Sequence, residues 1–116
     1  MRPTVLIVDD SSAFRASARA LLEAEGFAVI GEAGDGRSAV AAAKRLQPRI
    51  VLLDIQLPDE DGFVVADRLA SQPDPPIVVL VSGRSADTYI ARLAHTSARA
   101  FVGKDSLDGA LAAILD

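Results

Sequence analysis

With 116 residues, half of them apolar, the chain has room for one hydrophobic core and is too short for two. A net charge of −4, from 16 acids against 12 bases, argues against non-specific nucleic-acid binding, which needs clustered Lys and Arg. There is no cysteine for disulfides or thiolate metal sites, no apolar run near the ~18 residues of a membrane span, and no signal peptide in Met1-Arg2-Pro3, so a cytoplasmic location is expected.

Thr4–Val8 (TVLIV) is a continuous, mostly β-branched run of the kind that forms a parallel strand buried on both faces. Ser11 or Ser12 then offers a helix N-cap, and Phe14, Ala18, Leu21 and Leu22 recur at helical spacing up to Gly26, a natural C′ residue. Phe27–Gly31 (FAVIG) reads as a second, less uniformly apolar strand. Ala39, Ala43 and Leu46 mark a second helix, stopped by Pro48. Ile50–Leu53 (IVLL) is the third strand, and Val65 and Leu69 mark a helix running from near Gly62 to before Pro73. Ile77–Val81 (IVVLV) is the fourth strand, followed by a helix with Tyr89, Ile90, Leu93 and Ala94 on one face. Arg99–Val102 (RAFV) reads as the fifth strand, and Leu107, Leu111, Ile114 and Leu115 as the last helix.

This strict alternation predicts an α/β fold, a (βα)5 doubly wound parallel sheet with right-handed crossovers and helices on both faces. The most apolar strands, first, third and fourth, belong inside and the other two at the edges, which is the flavodoxin-like order 2-1-3-4-5. One domain over residues 1–116 is expected. The abrupt end at Asp116, with no capping glycine, reads as a domain excised from a longer protein.

Ligands of open α/β sheets bind beyond the carboxyl ends of the strands, so the residues just after each strand carry the most information. These are Asp9 and Asp10, then Asp54, Ser82 and Lys104, and the strand order brings all five to one crevice. Three carboxylates so close repel one another unless a cation joins them, and a hard oxygen set suits Mg2+. Lys104 supplies a point charge for a phosphate oxygen, Ser82 a hydroxyl donor, and Gly83 room for a tetrahedral group. The chemistry that uses all of these is phosphoryl transfer to a carboxylate. Asp54 is the expected nucleophile. Asp10 would hold the metal directly, Asp9 through a water, and the backbone carbonyl of Gln56 would complete the protein's ligands.

The motifs VDD (Val8–Asp10), LLDIQLPDEDG (residues 52–62), LVSG (80–83) and AFVGK (100–104) stand in this order on successive strand ends. In this the chain resembles the receiver domains of two-component response regulators over its full length. The resemblance implies a phosphoacceptor that catalyses its own phosphorylation and dephosphorylation rather than an enzyme acting on external substrates. Its donor would be a sensor histidine kinase or phosphotransfer protein, or a small donor such as acetyl phosphate. It also implies that Ser82 and Phe101 switch together, altering a surface formed by the fourth helix, fifth strand and fifth helix, with homodimerisation on activation. Asp105 follows Lys104 where many receivers carry proline, a variant often found in receivers fused to helix-turn-helix domains. A transcriptional regulator that meets nucleic acid only through a missing output domain is therefore expected, with a stand-alone or phosphorelay receiver as the alternative. Phe101 lacks the hydroxyl of the tyrosine found in other members, and Gln56 and Arg84 flank the site where they could gate an attacking water.

Plainer readings exist for each residue. Asp9-Asp10 could serve a helix N-terminus, Asp54 and Ser82 could be turn residues, Lys104 a solvated side chain and Phe101 simple core. Pro58–Gly62 is first of all a turn, with no catalytic role for Asp59 or Asp61, and His95 is expected to be exposed. Gly31, Gly34 and Gly36 lack dinucleotide-loop spacing. Two other functions compete: a magnesium-dependent phosphohydrolase, disfavoured by Gln56 and the lack of a cap insertion, and a pseudo-receiver that binds partners without phosphorylation.

Overall fold

The computed structural model describes residues 2–115, so Met1 and Asp116, on which the readings of the chain's two ends rest, lie outside the described residues. Five strands, β1 (Thr4–Val8), β2 (Ala28–Ala33), β3 (Ile50–Asp54), β4 (Ile77–Ser82) and β5 (Ala100–Gly103), form one parallel sheet in the order β2-β1-β3-β4-β5. The helices are α1 (Ser12–Ala24), α2 (Gly36–Leu46), α3 (Gly62–Ala70), α4 (Ile90–Leu93) and α5 (Ala110–Leu115). None of the described helices is long and apolar enough to cross a membrane.

The uninterrupted apolar strands are explained by two cores, one on each face of the sheet. Leu6, Val8, Val51, Leu53, Val78 and Leu80 pack with Ala39 and Ala43 of α2 and Val65 and Leu69 of α3. Their neighbours along the strands, Val5, Ile7, Ile50, Leu52, Val79 and Val81, point the other way onto Ala18 and Leu22 of α1 and Leu111 of α5. Both faces of the central strands are thus withdrawn from water, which is why no polar residue interrupts them between their first and last positions.

Local signals set the helix ends. Ser11 caps α1 by accepting the Phe14 N–H at 3.2 Å, and Gly26 adopts φ 96° just beyond it. Asp35 caps α2 through Ser38 N at 2.8 Å, and Asp61 caps α3 through Phe63 N at 2.8 Å. Helix α2 closes on Gln47 in the left-handed region at φ 52°, before Pro48.

Strands β3 and β4 each run one residue past the expected end, to Asp54 and Ser82, and four other elements differ further. Strand β2 runs to Ala33 rather than stopping at Gly31, because an irregularity opposite Val5 and Leu6 shifts its register and lets pairing continue to Val8. Strand β5 starts one residue later than expected, at Ala100. The fourth helix shrinks to one α turn preceded by a 3₁₀ turn, Ala86–Tyr89; Ile90 is 69% exposed and Ala94 is exposed, so only Tyr89 and Leu93 face the core. Leu107 lies ahead of α5, after a 3₁₀ turn at Lys104–Ser106, yet is buried as expected of a core residue.

Candidate functional site

Asp54 and Ser82 are the last residues of β3 and β4, and Asp9 directly follows β1 with its N–H donating to the Ala33 carbonyl at 3.0 Å. Neighbouring strands in register therefore deliver the side chains to one end of the sheet. The carboxylates of Asp9, Asp10 and Asp54 each bring an oxygen within 4.8 Å of the others, with Asp9 and Asp54 buried and Asp10 exposed. Lys104, just past β5, enters the same space: its Nζ lies 2.6 Å from Asp9 Oδ2 and 3.5 Å from Asp54 Oδ2.

Electrostatics mark the crevice as strained in its charge. Burial pushes the Asp54 carboxyl up to about 6 from 3.8; the Gln56 N–H opposes this, the Asp9 charge adds to it, and Lys104 again opposes it. Burial also works against the Lys104 ammonium, but Asp9 and Asp54 outweigh it and hold the group above its usual range. Asp9 Oδ2 touches the ammonium as an ion pair, yet it is buried with no partner in hydrogen-bond geometry. The buried Asp9 and Asp54 carboxylates and the exposed Asp10 carboxylate form a hard oxygen donor set that fits a divalent cation.

The backbone around Asp54 is tightly held. Gln56 N donates to Asp54 Oδ1 at 3.1 Å, Gln56 pairs with Asp61 as an antiparallel bridge, and Gly62 N reaches the Ile55 carbonyl at 2.8 Å. A Cβ on Gly62 would stand 2.5 Å from the Asp54 carbonyl oxygen and 2.6 Å from Ile55 Cα, so only glycine permits this approach of α3 to the loop. Asp59 and Asp61 both make structural contacts. Asp59 takes the N–H groups of Gly36 (2.8 Å) and Arg37 (3.1 Å), tying the loop to the start of α2. Asp61 pairs with Arg92 at 2.7 Å.

Ser82 is buried and its Oγ accepts the Arg84 N–H at 3.0 Å. Its second partner, the Tyr89 hydroxyl at 3.1 Å, was not foreseen, since the periodicity assigns Tyr89 to a helical core face. The available signal was chemical: a buried tyrosine needs a partner for its hydroxyl, and this is the chain's one tyrosine. Phe101 packs partly buried against Tyr89, ring centroids 6.1 Å apart. A Cβ at Gly83 would meet nothing within 4 Å, so room at this point does not depend on glycine. His95 is exposed, as expected.

Two further contacts at the site, made by Phe14 and Arg15, have no signal in the sequence pattern. Lys104 Nζ sits 4.5 Å from the centroid of the Phe14 ring, a cation–π contact that fixes the ammonium from the α1 side. Arg15 donates to the Asp9 carbonyl and pairs with Glu32 at 3.0 Å, holding the β1–α1 turn from β2.

Residues 5–116 match the family model described as the response regulator receiver domain. The transcriptional regulatory protein PdtaR of Mycobacterium tuberculosis is 36% identical over 100 residues, covering 86% of this chain and 48% of the relative. The chain spans about half the length of the curated relatives it matches. The receiver domain of the putative response regulator NarL from Mycobacterium tuberculosis superposes with a TM-score of 0.85 at 30% identity, over 98% of this chain and 97% of that one. A chain of the CheX-CheY-BeF3-Mg complex of Borrelia burgdorferi gives a TM-score of 0.85 at 26% identity, over 97% and 86%. The strand order, the acidic crevice and these matches agree: the chain belongs to the response regulator receiver domain family.

Proposed function

We propose that this receiver takes a phosphoryl group onto Asp54 from a sensor histidine kinase or phosphotransfer protein, with Mg2+ held by Asp9, Asp10, Asp54 and the Gln56 carbonyl. The observation that carries the reading is the convergence of three carboxylates within 4.8 Å around a lysine that reaches two of them. A structural cluster would gain little from burying two carboxylates beside each other with one lysine to serve both. The beryllofluoride and magnesium of the Borrelia complex, in the same fold, are in keeping with it.

In the transfer an Asp54 carboxylate oxygen attacks phosphorus, a P–O bond forms, and the donor's P–N bond breaks as the electron pair returns to the imidazole. Bound magnesium would neutralise charge on the acceptor and the phosphoryl oxygens. Lys104 exchanges its carboxylate partners for a phosphoryl oxygen, and Ser82 donates a hydrogen bond to another. The site acts on itself, and Gln56 and Arg84 stand where they can influence water attack and hence the lifetime of the phosphorylated form. In this reading residues 1–116 are one receiver unit of a longer, cytoplasmic response regulator. PdtaR's name makes transcriptional output the leading case, with homodimerisation on activation as the transmitting step.

Intact mass after incubation with magnesium and acetyl phosphate tests the proposal. A single phosphoryl adduct, absent from Asp54→Asn, is the expected result. No adduct, together with no magnesium-dependent response to beryllofluoride, would make the chain a pseudo-receiver.

A further inference from the structure

We infer that Tyr89 is a latch on Ser82: the contact between their hydroxyls holds the serine in its resting position, and loading Asp54 must break it. This rests on the reading of Asp54 as phosphoacceptor and adds a positioning residue to it. A serine hydroxyl has one proton to donate and two lone pairs to accept with. In Ser82 one lone pair receives the Arg84 N–H at 3.0 Å, and the Tyr89 hydroxyl at 3.1 Å takes a second site, either the other lone pair or the proton, and so fixes the direction in which the hydroxyl points. Turning toward a phosphoryl oxygen takes Ser82 out of this pair. The phenol of a tyrosine only 8% exposed is then left without its partner, a costly state inside a protein.

The surroundings allow Tyr89 to respond. Its ring packs against both Phe63 (centroids 6.0 Å, tilted 54°) and Phe101 (6.1 Å, 49°), so displacement is felt by the aromatic of β5. A cleft of about 440 Å³, lined by Tyr89, Arg92 and the 55–61 loop, opens beside the ring and leaves it room to move. The segment that carries Tyr89 is a 3₁₀ turn followed by a single α turn whose Ile90 is 69% exposed, so few apolar contacts resist its movement. Tyr89 thus opposes activation in the resting state and reports it once the serine leaves.

The test is titration of beryllofluoride, at saturating magnesium, into the wild-type chain, Tyr89→Phe, Ser82→Ala and the double variant. Tyr89→Phe keeps the ring and deletes the latch, so beryllofluoride should bind about two- to tenfold more tightly, the worth of one hydrogen bond. Magnesium affinity should be unchanged, and Tyr89→Phe should have no effect in the Ser82→Ala background. Equal or weaker binding by Tyr89→Phe, or the same gain without Ser82, overturns the latch. Because Tyr89 is the chain's single tyrosine, its ring NMR signals in the wild type give a second reading that needs no variant. They should shift on saturation, and unchanged signals overturn the latch. A wild type that binds no beryllofluoride overturns the phosphoacceptor reading itself; a wild type that binds it with Tyr89 undisturbed overturns the latch alone.

Discussion

Lys104 Nζ stands nearer to Asp9 Oδ2, at 2.6 Å, than to Asp54 Oδ2, at 3.5 Å. The lysine is thus the counter-ion of the crevice, and a metal entering it competes with the ammonium for the same two carboxylates.

Lys104→Met separates these roles. Without magnesium, Asp9 and Asp54 lose their cation while Asp9 remains fully buried, and stability should fall by about 1–3 kcal/mol in urea unfolding at neutral pH. Magnesium affinity, followed by calorimetry, should rise, because a positive charge has been removed from beside the ligands. A drop in magnesium affinity would mean that Lys104 supports the site rather than competing for it.

Asp54 should make metal-free stability depend on pH. Its folded pKa of about 6 lies above the ordinary 3.8, so the folded protein binds more protons than the unfolded chain between these values. Stability from this group is therefore fully present below about pH 4 and lost as pH rises through 6. A shift of this size corresponds to about 3 kcal/mol. Asp54→Asn, which cannot ionise, should be the more stable protein at pH 7.5 in the absence of metal, by up to that amount. The advantage should vanish toward pH 4, and denaturant melts at the two pH values check it.

Gly62→Ala should damage the acceptor loop through backbone collision, since the new methyl would lie 2.5 Å from the Asp54 carbonyl oxygen. Neither partner is a flexible side chain, so the loop or the start of α3 has to shift. We expect a loss of about 1–3 kcal/mol, with phosphorylation by acetyl phosphate slowed further than the stability change explains. Thermal melting and the rate of adduct formation measure the two effects.

The two ends of the Tyr89–Leu93 region and the core predict opposite sensitivities. Leu69→Ala removes a fully buried side chain from beneath α3 and should cost about 2–5 kcal/mol. Ile90→Ser alters a residue 69% exposed and should change stability by less than about 0.5 kcal/mol, in unfolding experiments on the same chain.

That contrast also shows where the sequence could be read and where it could not. Asp9 and Asp54 were legible because one directly follows and the other ends an unmistakable buried strand, and parallel register with adjacent strands brings both to the same end of the sheet. Helix α4 was over-read: Ile90 and Ala94 have helical spacing, but the chain spends Ala86–Tyr89 on a tighter turn, which rotates Ile90 to solvent. Strand β2 was cut short because Glu32 interrupts its apolar pattern. At an edge that charge is tolerated, since Arg15 and Arg19 pair with it at 3.0 and 2.8 Å. Tyr89 eluded periodicity for a related reason, as its position reports core packing while its role depends on a hydroxyl seven residues earlier in the chain.

The double grip of Asp59 on the Gly36 and Arg37 amides has a mechanical consequence. It cross-braces the loop after β3 to α2, while Gly62 wedges the same loop against α3, so that flank behaves as one stiff body. The opposite flank, the short turns between β4 and β5, is tied to it by side chains, Arg92 to Asp61 at 2.7 Å and Ser97 to Asp67 at 2.8 Å. Compliance should therefore be directional: the turns between β4 and β5 yield first, and those two side-chain ties are the route by which their movement reaches the braced flank.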